Sequence, residues 1–181
     1  MSNAVPHGWE EATILELGNN HKDTVQTGPF GAQLHASDYK SDGVPLILIR
    51  NIKDYGLDER DIPKISHEDA ERLNRYRLKV GDIVFSRVGR VGSCFLTTKR
   101  ESGWVISGQT LRMRVDLKKV NPEFLVYGLR TDEIQKEIVG ESVGSTRTSI
   151  NTTILENLQV PVPPLPEQQK IAAILSSVDD V

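Results

Sequence analysis

The sequence predicts a mixed α/β fold in which a twisted mixed sheet is followed by a C-terminal helix. Several short runs are apolar or alternate between apolar and polar residues, as strands do; they span 44–49, 83–86, 93–97 and 110–115. Three other segments begin with the capping residues, prolines or acidic residues typical of helix starts; they open at Ser66, Asn121 and Pro166. A chain of 181 residues is long enough to bury one ordinary core.

Composition excludes several classes of protein. Hydrophobic residues make up 38% of the chain and charged residues 26%, which is typical of a globular protein and excludes a disordered one. Cys94 is the single cysteine, so a disulfide scaffold and a cysteine-based zinc site are excluded. Because the sequence has neither an apolar run long enough for a membrane span nor a basic-then-apolar leader, we expect a cytoplasmic protein.

The net charge of −3 argues against a nucleic-acid partner, but the charge is unevenly distributed. Residues 1–49 and 115–181 each carry a net charge of −4. Residues 50–114 hold 14 basic and 9 acidic residues, a net charge of +5. We therefore predict that the middle third forms one contiguous basic face.

The last strand candidate contributes to this predicted face. Leu111, Met113 and Val115 alternate with Arg112 and Arg114. Such alternation predicts a half-buried strand with one apolar face and one basic face.

The C-terminal half is predicted to be mainly helical. Asn121, Pro122 and Glu123 supply a cap, a first-turn proline and a first-turn acid for a helix that extends to about Val139. A polar loop over 140–149 follows, and then an extended piece over 158–162.

The segment that begins at Pro166 is predicted to be an amphipathic helix. Its apolar residues recur at helical spacing: Ile171, Ile174, Leu175, Val178 and Val181. Periodicity alone leaves two interpretations open. The stripe either packs on its own domain or faces a partner.

Three polar loops carry basic residues. In 86–92, Arg87 and Arg90 stand beside Gly89 and Gly92, and arginine together with backbone N–H groups in a glycine-rich turn binds phosphate well. Arg50, Asn51 and Lys53 follow the first core strand, and Arg and Asn are the residue types that hydrogen-bond guanine and adenine edges.

The third loop, 144–149, has Arg147 at its centre. Lys99 and Arg100 are candidate phosphate contacts. Any one of these loops alone is more typical of a solvated turn, but three in one chain favour a nucleic-acid surface.

Patterns that would indicate catalysis are weak. The four histidines show no metal-ligand spacing. Residues 140–144 match a nucleophile elbow, but a predicted helix precedes the serine where that motif needs a strand. Residues 121–124 resemble the Asn-Pro-Pro-aromatic signature of amino-methyltransferases, although Glu123 replaces the second proline and helix capping explains these residues.

Taken in order, the motifs resemble one target-recognition half of a type I restriction–modification specificity subunit. The matching segments are 28–32, 37–39, 43–45, 50–52, 81–84, 121–125 and 144–145, with glycines at 89 and 92. The most specific segment is the Pro-Pro-Leu-Pro-Glu-Gln-Gln-Lys-Ile sequence at 163–171, which resembles the opening of the family's long helix.

The resemblance implies a DNA-reading module without catalytic residues of its own. It implies double-stranded DNA, modification (methyltransferase) subunits and restriction (endonuclease) subunits as partners. S-adenosylmethionine, ATP and Mg²⁺ are expected only in those partner subunits, and neither a cofactor nor a metal is expected in this chain. Two alternatives remain. One is a stand-alone enzyme related to DNA adenine methyltransferases, and the other is an assembly module that acts mainly through its helix.

The resemblance also implies a division of the chain. Residues 1–162 would form the recognition domain and 163–181 the start of a helix that enters a coiled coil. Its partner would be the helix of a second recognition domain or of a second copy of the chain. The predicted helix interface consists of Ile171, Ile174, Leu175, Val178 and Val181. The predicted DNA-contacting residues are Arg50, Asn51, Lys53, Arg87, Gly89, Arg90, Lys99, Arg100, Arg112 and Arg147.

Overall fold

The computed structural model describes residues 5–54, 56–142 and 149–179. The mixed α/β class predicted from the sequence is confirmed. In the described residues the strands form two four-stranded sheets and two two-stranded sheets, rather than one sheet. None of the helices in the described part of the chain is long and apolar enough to cross a membrane.

Most strands are short. They are β1 (Glu10–Thr13), β2 (Val25–Thr27), β3 (Tyr39–Lys40), β4 (Val44–Ile47), β5 (Ile52–Lys53), β6 (Gly56–Leu57), β7 (Lys64–Ile65), β8 (Ile83–Ser86), β9 (Cys94–Leu96), β10 (Val105–Ile106), β11 (Thr110–Met113) and β12 (Gln159–Val162).

The helices lie mainly in the C-terminal half. They are α1 (Ile14–Leu17), α2 (His21–Thr24), α3 (His67–Arg72), α4 (Pro122–Leu129), α5 (Asp132–Ser142), α6 (Thr152–Asn157) and α7 (Leu165–Asp179).

The central sheet is antiparallel, in the order β2-β11-β8-β9. Its middle strands β8 and β11 are buried along their whole length. The second four-stranded sheet has the order β10-β4-β7-β3 and is mixed, because β10 runs parallel to β4 while the other pairs are antiparallel. The small sheets pair β1 with β12 and β5 with β6.

Two apolar clusters form the core. The larger cluster includes Ile83 and Phe85 of β8, together with apolar residues of α4, α5 and α6. The smaller cluster includes Val84 of β8 and the apolar residues of β4 and β10. Because neighbouring residues of a strand point to opposite faces, β8 contributes to both clusters. The central sheet therefore has a core on each side.

Local signals placed several elements correctly. The Ser66 hydroxyl caps α3 by accepting a hydrogen bond of 3.0 Å from the Asp69 backbone N–H. Asn121 caps α4 in the same way, since its side chain accepts from the backbone N–H groups of Glu123 and Phe124. The prediction of one helix from Asn121 to about Val139 is wrong, because α4 ends at Leu129 and α5 begins at Asp132.

The start of α7 is fixed to the rest of the chain by one buried side chain. The Gln168 amide oxygen accepts from the Asn121 backbone N–H at 2.7 Å. Its amide nitrogen donates to the carbonyls of Pro163 at 2.8 Å and Lys119 at 3.2 Å. Gln168 is 0% exposed, so it connects the segment before α4 to the first turn of α7.

Candidate nucleic-acid interface

Four connecting segments converge at one end of the two large sheets. They are 28–31, 48–51, 87–93 and 107–109, and we call this region the loop end. Backbone hydrogen bonds hold them together: Gly28 donates to Thr110, Ser107 donates to Ile47, and Arg87 donates to Gln109. Since β4 and β10 are parallel, both lead into this region. Strands of the sheets flank these segments and hold their ends.

Two of the segments approach so closely that only glycine fits between them. A Cβ atom at Gly28 would overlap the Ser107 carbonyl, and a Cβ atom at Gly108 would overlap the Pro29 carbonyl. These glycines therefore fix 28–31 against 107–109.

The predicted glycine turn between β8 and β9 is present. Gly89 has a φ of +74° and Gly92 a φ of +86°, conformations that glycine adopts without steric cost. The space around a Cβ at Gly89 is open. The backbone of this turn is thus exposed at Gly89, as approach by a phosphate requires.

Arg87 is anchored at its stem and half-buried. Its Nε donates to the Ile150 carbonyl at 3.2 Å, and its guanidinium carbon lies 5.2 Å from the centroid of the Phe30 ring. Arg90 is more exposed and pairs with Asp54, with 2.7 Å between Nη1 and Oδ2. An exposed pair of this kind contributes little to stability, so Arg90 can exchange Asp54 for another anion at small cost.

Arg50 and Lys53 also lie at or beside the loop end, at the turn that follows β4. Arg50 is exposed and donates to the Asp61 carbonyl at 3.1 Å. Lys53 is half-exposed and donates to the Arg50 carbonyl at 2.8 Å. Both side chains keep donors that DNA could engage.

Asn51, predicted as a base contact, holds the turn instead. It is 1% exposed, and its amide oxygen accepts from the Leu48 backbone N–H at 3.1 Å. Its amide nitrogen donates to the carbonyls of Asp58 and Arg60. With its donors and acceptor engaged inside the protein, Asn51 cannot contact a base in this conformation.

The prediction that Arg112 contacts DNA also needs correction. It is 0% exposed and forms an ion pair with Asp23 of α2. Its neighbour Arg114 donates from Nε and Nη2 to Asp82, at 2.8 and 2.7 Å, and from Nη1 to Asp23 at 3.0 Å. The alternation predicted correctly that arginines share one face of β11. That face is not at the surface, because Arg112 is buried and pairs with Asp23 of α2.

Burial acts to raise the pKa of the Asp23 carboxyl, but the hydrogen bonds and positive charges of Arg112 and Arg114 outweigh it. The pKa of Asp23 is therefore held below its ordinary value. The prediction that the fourteen basic residues of 50–114 form one contiguous face is wrong. Arg112 is buried and Arg114 is mostly buried, and others, such as Lys99 and Arg100, lie away from the loop end.

Lys99 and Arg100 are not brought to the loop end. They follow β9 at the end remote from the glycine turn, where Arg100 pairs with Glu59. Arg147 lies outside the described residues. The structure thus gathers Arg50, Lys53, Arg87, Gly89 and Arg90 in one region of the molecule.

Two residues at the loop end were not predicted from the sequence. Phe30 is 54% exposed, which is unusual for so large an apolar side chain. Gln109 is exposed beside it. Neither belongs to a basic motif, and only the packing of 28–31 on 107–109 brings them together with Arg87.

The apolar stripe of α7 is divided. Ala172 is buried against the larger core cluster and Ile171 packs partly on it. Ile174 and Val178 are each 65% exposed and Leu175 is 38% exposed. Val181 lies outside the described residues. Packing on its own domain therefore applies to Ile171, whereas Ile174, Leu175 and Val178 are exposed.

The described residues contain no group of three or more His, Cys, Asp or Glu side chains placed to hold a metal ion. Cys94 is buried, and burial raises the pKa of its thiol to about 11. A thiol with so high a pKa is a poor nucleophile at neutral pH.

Comparison with known proteins points to one family. Residues 6–181 match the sequence profile described as the type I restriction modification DNA specificity domain. The chain is 32% identical over 98% of its length to the type I restriction enzyme MjaX specificity subunit of Methanocaldococcus jannaschii. It is 29% identical over 92% of its length to the EcoBI specificity subunit of Escherichia coli. The chain spans 41% and 34% of these two relatives.

Solved structures share the fold. The HsdS subunit from Thermoanaerobacter tengcongensis superposes with a TM-score of 0.69 at 19% identity, over 96% of this chain and 43% of that one. The S subunit of the type I restriction–modification system of M. genitalium gives a TM-score of 0.63 at 17% identity, over 99% of this chain and 41% of that one. By its profile match over residues 6–181, the chain belongs to the family of type I restriction modification DNA specificity domains.

Proposed function

We propose that this chain recognises one half of a split duplex DNA target through its loop end, and so directs the modification and restriction subunits of a type I complex. The observation that carries the proposal is the convergence of Arg50, Lys53, Arg87 and Arg90 on one end of a rigid pair of sheets. Family membership supplies the nature of the ligand.

The chemistry of the loop end suits duplex DNA. Most protein–DNA hydrogen bonds go to phosphate and sugar, and they fix the orientation of the protein on the duplex. Arg87 and Arg90 flank Gly89, where side-chain donors and an exposed backbone occur together. The exposed pair between Arg90 and Asp54 leaves the guanidinium able to take a phosphate in place of the carboxylate.

Salt dependence of binding tests this proposal. Each phosphate neutralised adds roughly 0.9 to the slope of log affinity against log salt concentration. Replacing Arg87 and Arg90 together by alanine should make the slope less steep by up to about 1.8. The measurement is fluorescence anisotropy with labelled duplex DNA across a salt series.

Arg72 and Lys79 provide a matched control. Both are exposed cations that lie away from the loop end. Arg72 is in α3, and Lys79 is in the turn before β8. Replacing both by alanine removes the same charge and should leave the slope unchanged. An equal fall in slope for both double variants would refute the loop end as the interface. Absence of binding by the chain and also by two chains joined covalently would refute DNA recognition.

We also propose that the exposed part of the α7 stripe is covered by a second helix, from another recognition domain or a second copy of the chain. Ile174, Leu175 and Val178 would form the seam of that coiled coil. Ile171 would lie at its margin, because it already packs partly on the domain.

Sedimentation of the chain tests this helix pairing. Replacing Ile174 and Val178 by glutamate should abolish any self-association. Replacing Gln169 and Ala173 by glutamate adds the same charge on other, exposed positions of α7 and should not. A wild-type chain that stays monomeric at high concentration would exclude a second copy as the partner. Loss of association in both variants would show that charge alone is responsible.

We propose further that S-adenosylmethionine, ATP and Mg²⁺ are bound by the partner subunits and not by this chain. Titration calorimetry with S-adenosylmethionine should give no binding heat. Saturable binding at one site would instead favour the alternative of a stand-alone enzyme related to DNA adenine methyltransferases.

A further inference from the structure

An exposed aromatic ring stands at the centre of the loop end. Phe30 is 54% exposed, and the Arg87 guanidinium lies 5.2 Å from its ring centroid. The ring also lies against Gly108, because a Cβ atom built there would be 3.4 Å from the Phe30 Cδ1 atom. Phe30 is therefore held from two sides while more than half of it remains open to solvent.

Gln109 is the polar neighbour of this ring. It is exposed, and its amide makes no hydrogen bond to any residue within 5–54, 56–142 or 149–179. Its backbone is fixed, since its carbonyl accepts from the Arg87 N–H at 3.1 Å and the preceding Gly108 lies under the Pro29 carbonyl. Because its backbone is already fixed, binding a ligand would order only the Gln109 side chain.

Two open cavities meet at Gln109. One, of about 460 Å³, is lined by Phe30, Arg87 and Gln109 among others. The other, of about 320 Å³, is lined by Arg50 and shares Pro29, Gly108 and Gln109 with the first. Gln109 thus stands on the ridge between two hollows, each of which has an arginine at its wall.

We propose that Gln109 and Phe30 together recognise one A·T base pair in the major groove. The Gln109 amide would donate to adenine N7 and accept from adenine N6, and Phe30 would contact the thymine methyl group. Arg87 and Arg50 would bind phosphates on either side. This inference rests on the proposed DNA recognition and goes beyond it by naming the base pair and the residues that select it.

The choice of A·T follows from the hydrogen-bonding pattern of the bases. The glutamine amide presents an NH₂ donor group beside a carbonyl acceptor, which match the adjacent acceptor and donor of adenine. Guanine presents two acceptors in the same place, so the amide oxygen would face the O6 atom without a donor. A G·C pair also lacks the methyl group that an exposed apolar ring can bury.

Selection from a pool of duplex DNA with a randomised central segment tests the proposal. The full 181-residue chain should enrich a motif that contains at least one A·T position. At that position, Gln109→Ala should lose a preference of about five- to a hundredfold. Gln109→Glu should transfer the preference to C·G, because a carboxylate accepts from cytosine N4. The other positions of the motif should not change.

Single-atom changes in the selected DNA separate the two contacts. Replacing adenine by 7-deazaadenine should weaken binding of the wild-type chain but not of Gln109→Ala. Replacing thymine by uracil removes only the methyl group and should weaken wild-type binding about fourfold. The same replacement of thymine by uracil should not weaken DNA binding by the Phe30→Ala variant.

Matched controls lie away from the loop end. Gln159→Ala removes an exposed amide on β12, and Leu117→Ala removes an apolar side chain that is 61% exposed beyond the opposite end of β11. Neither should change any base preference. Thermal unfolding should confirm that all variants are folded.

The outcomes separate this inference from the one on which it rests. If Gln109→Ala, Gln109→Glu and Phe30→Ala all select the same motif as the wild-type chain, the inference is overturned. DNA recognition would still stand. Failure to enrich any motif by the wild-type chain and also by two chains joined covalently would overturn both.

Discussion

Two pairs of arginines that look alike in the sequence have opposite environments. Arg87 and Arg90 lie in the turn after β8, where Arg87 is half-buried and Arg90 pairs with the exposed Asp54. Arg112 of β11 and Arg114, which follows that strand, share Asp23, and Arg114 also binds Asp82. Each pair sits among apolar residues and near a turn, so residue type alone does not distinguish them.

The difference is set by what covers each segment. A lone buried charge is very costly in free energy, so an arginine is found inside a protein when a carboxylate from elsewhere is placed against it. Asp23 and Arg112 are 89 residues apart in the chain. The buried Arg112 is therefore part of the internal structure of the domain, whereas Arg87 and Arg90 retain exposure for an external anion.

Removing Asp23 should show the largest effect. Asp23→Ala leaves the Arg112 guanidinium, whose Nε and Nη1 atoms already have no partner among the described residues, without its carboxylate. We expect unfolding free energy to fall by about 3 kcal/mol, in the lower part of the range for a broken buried pair because Asp23 is partly exposed. Urea unfolding at neutral pH measures it.

Adding Arg112→Met to Asp23→Ala should recover much of this loss, since an apolar side chain of similar volume needs no counter-ion. A double variant as unstable as Asp23→Ala alone would show that the loss comes from α2 itself and not from the unpaired charge.

Replacing the buried, uncharged Gln168 should also lower the unfolding free energy, but by less than Asp23→Ala does. Gln168→Leu leaves the Asn121 N–H and the carbonyls of Pro163 and Lys119 without this partner, so we expect a loss of about 2 kcal/mol. Gln169→Leu changes the exposed neighbour in the same helix and should cost less than about 0.5 kcal/mol. Equal losses in both would indicate an effect of leucine on α7 rather than of burial.

Acid should act on the internal pair in a defined direction. Because the pKa of Asp23 is lowered in the folded protein, its contribution to stability is present above the ordinary value of 3.8 and is lost as the pH falls below it. Stability measured from pH 6 to pH 3 should therefore fall more steeply for the wild-type chain than for Asp23→Asn. Identical pH profiles would show that the arginines do not stabilise the carboxylate.

The exposed pair should give the smallest change in stability. Asp54→Asn breaks the pair with Arg90, and unfolding free energy should change by less than about 0.5 kcal/mol. DNA affinity should rise slightly, since a competing carboxylate is removed from the loop end. A loss of stability close to that of Asp23→Ala would show that Arg90, like Arg112, is needed to hold the fold together.

Much of the fold was predictable because its signals are local. Ser66 and Asn121 start their helices through hydrogen bonds that span two or three residues, and Gly89 turns the chain through its own backbone freedom. The break between α4 and α5 was missed, since the residues on both sides favour a helix. The residues at the loop end were only partly predicted, because Phe30 and Gln109 carry no charge and are 79 residues apart.

By itself the sequence determined the α/β class, the starts of the main helices, the glycine turn at 89–92 and, through ordered motifs, the family. Those features depend on neighbouring residues and on the covalent chain. Only the tertiary structure decided which arginines are internal, that Asn51 holds a turn, and that Phe30, Arg87 and Gln109 meet at one end of the sheets. Burial and counter-ion pairing are properties of segments far apart in the chain, and they exist only once the sheets have packed.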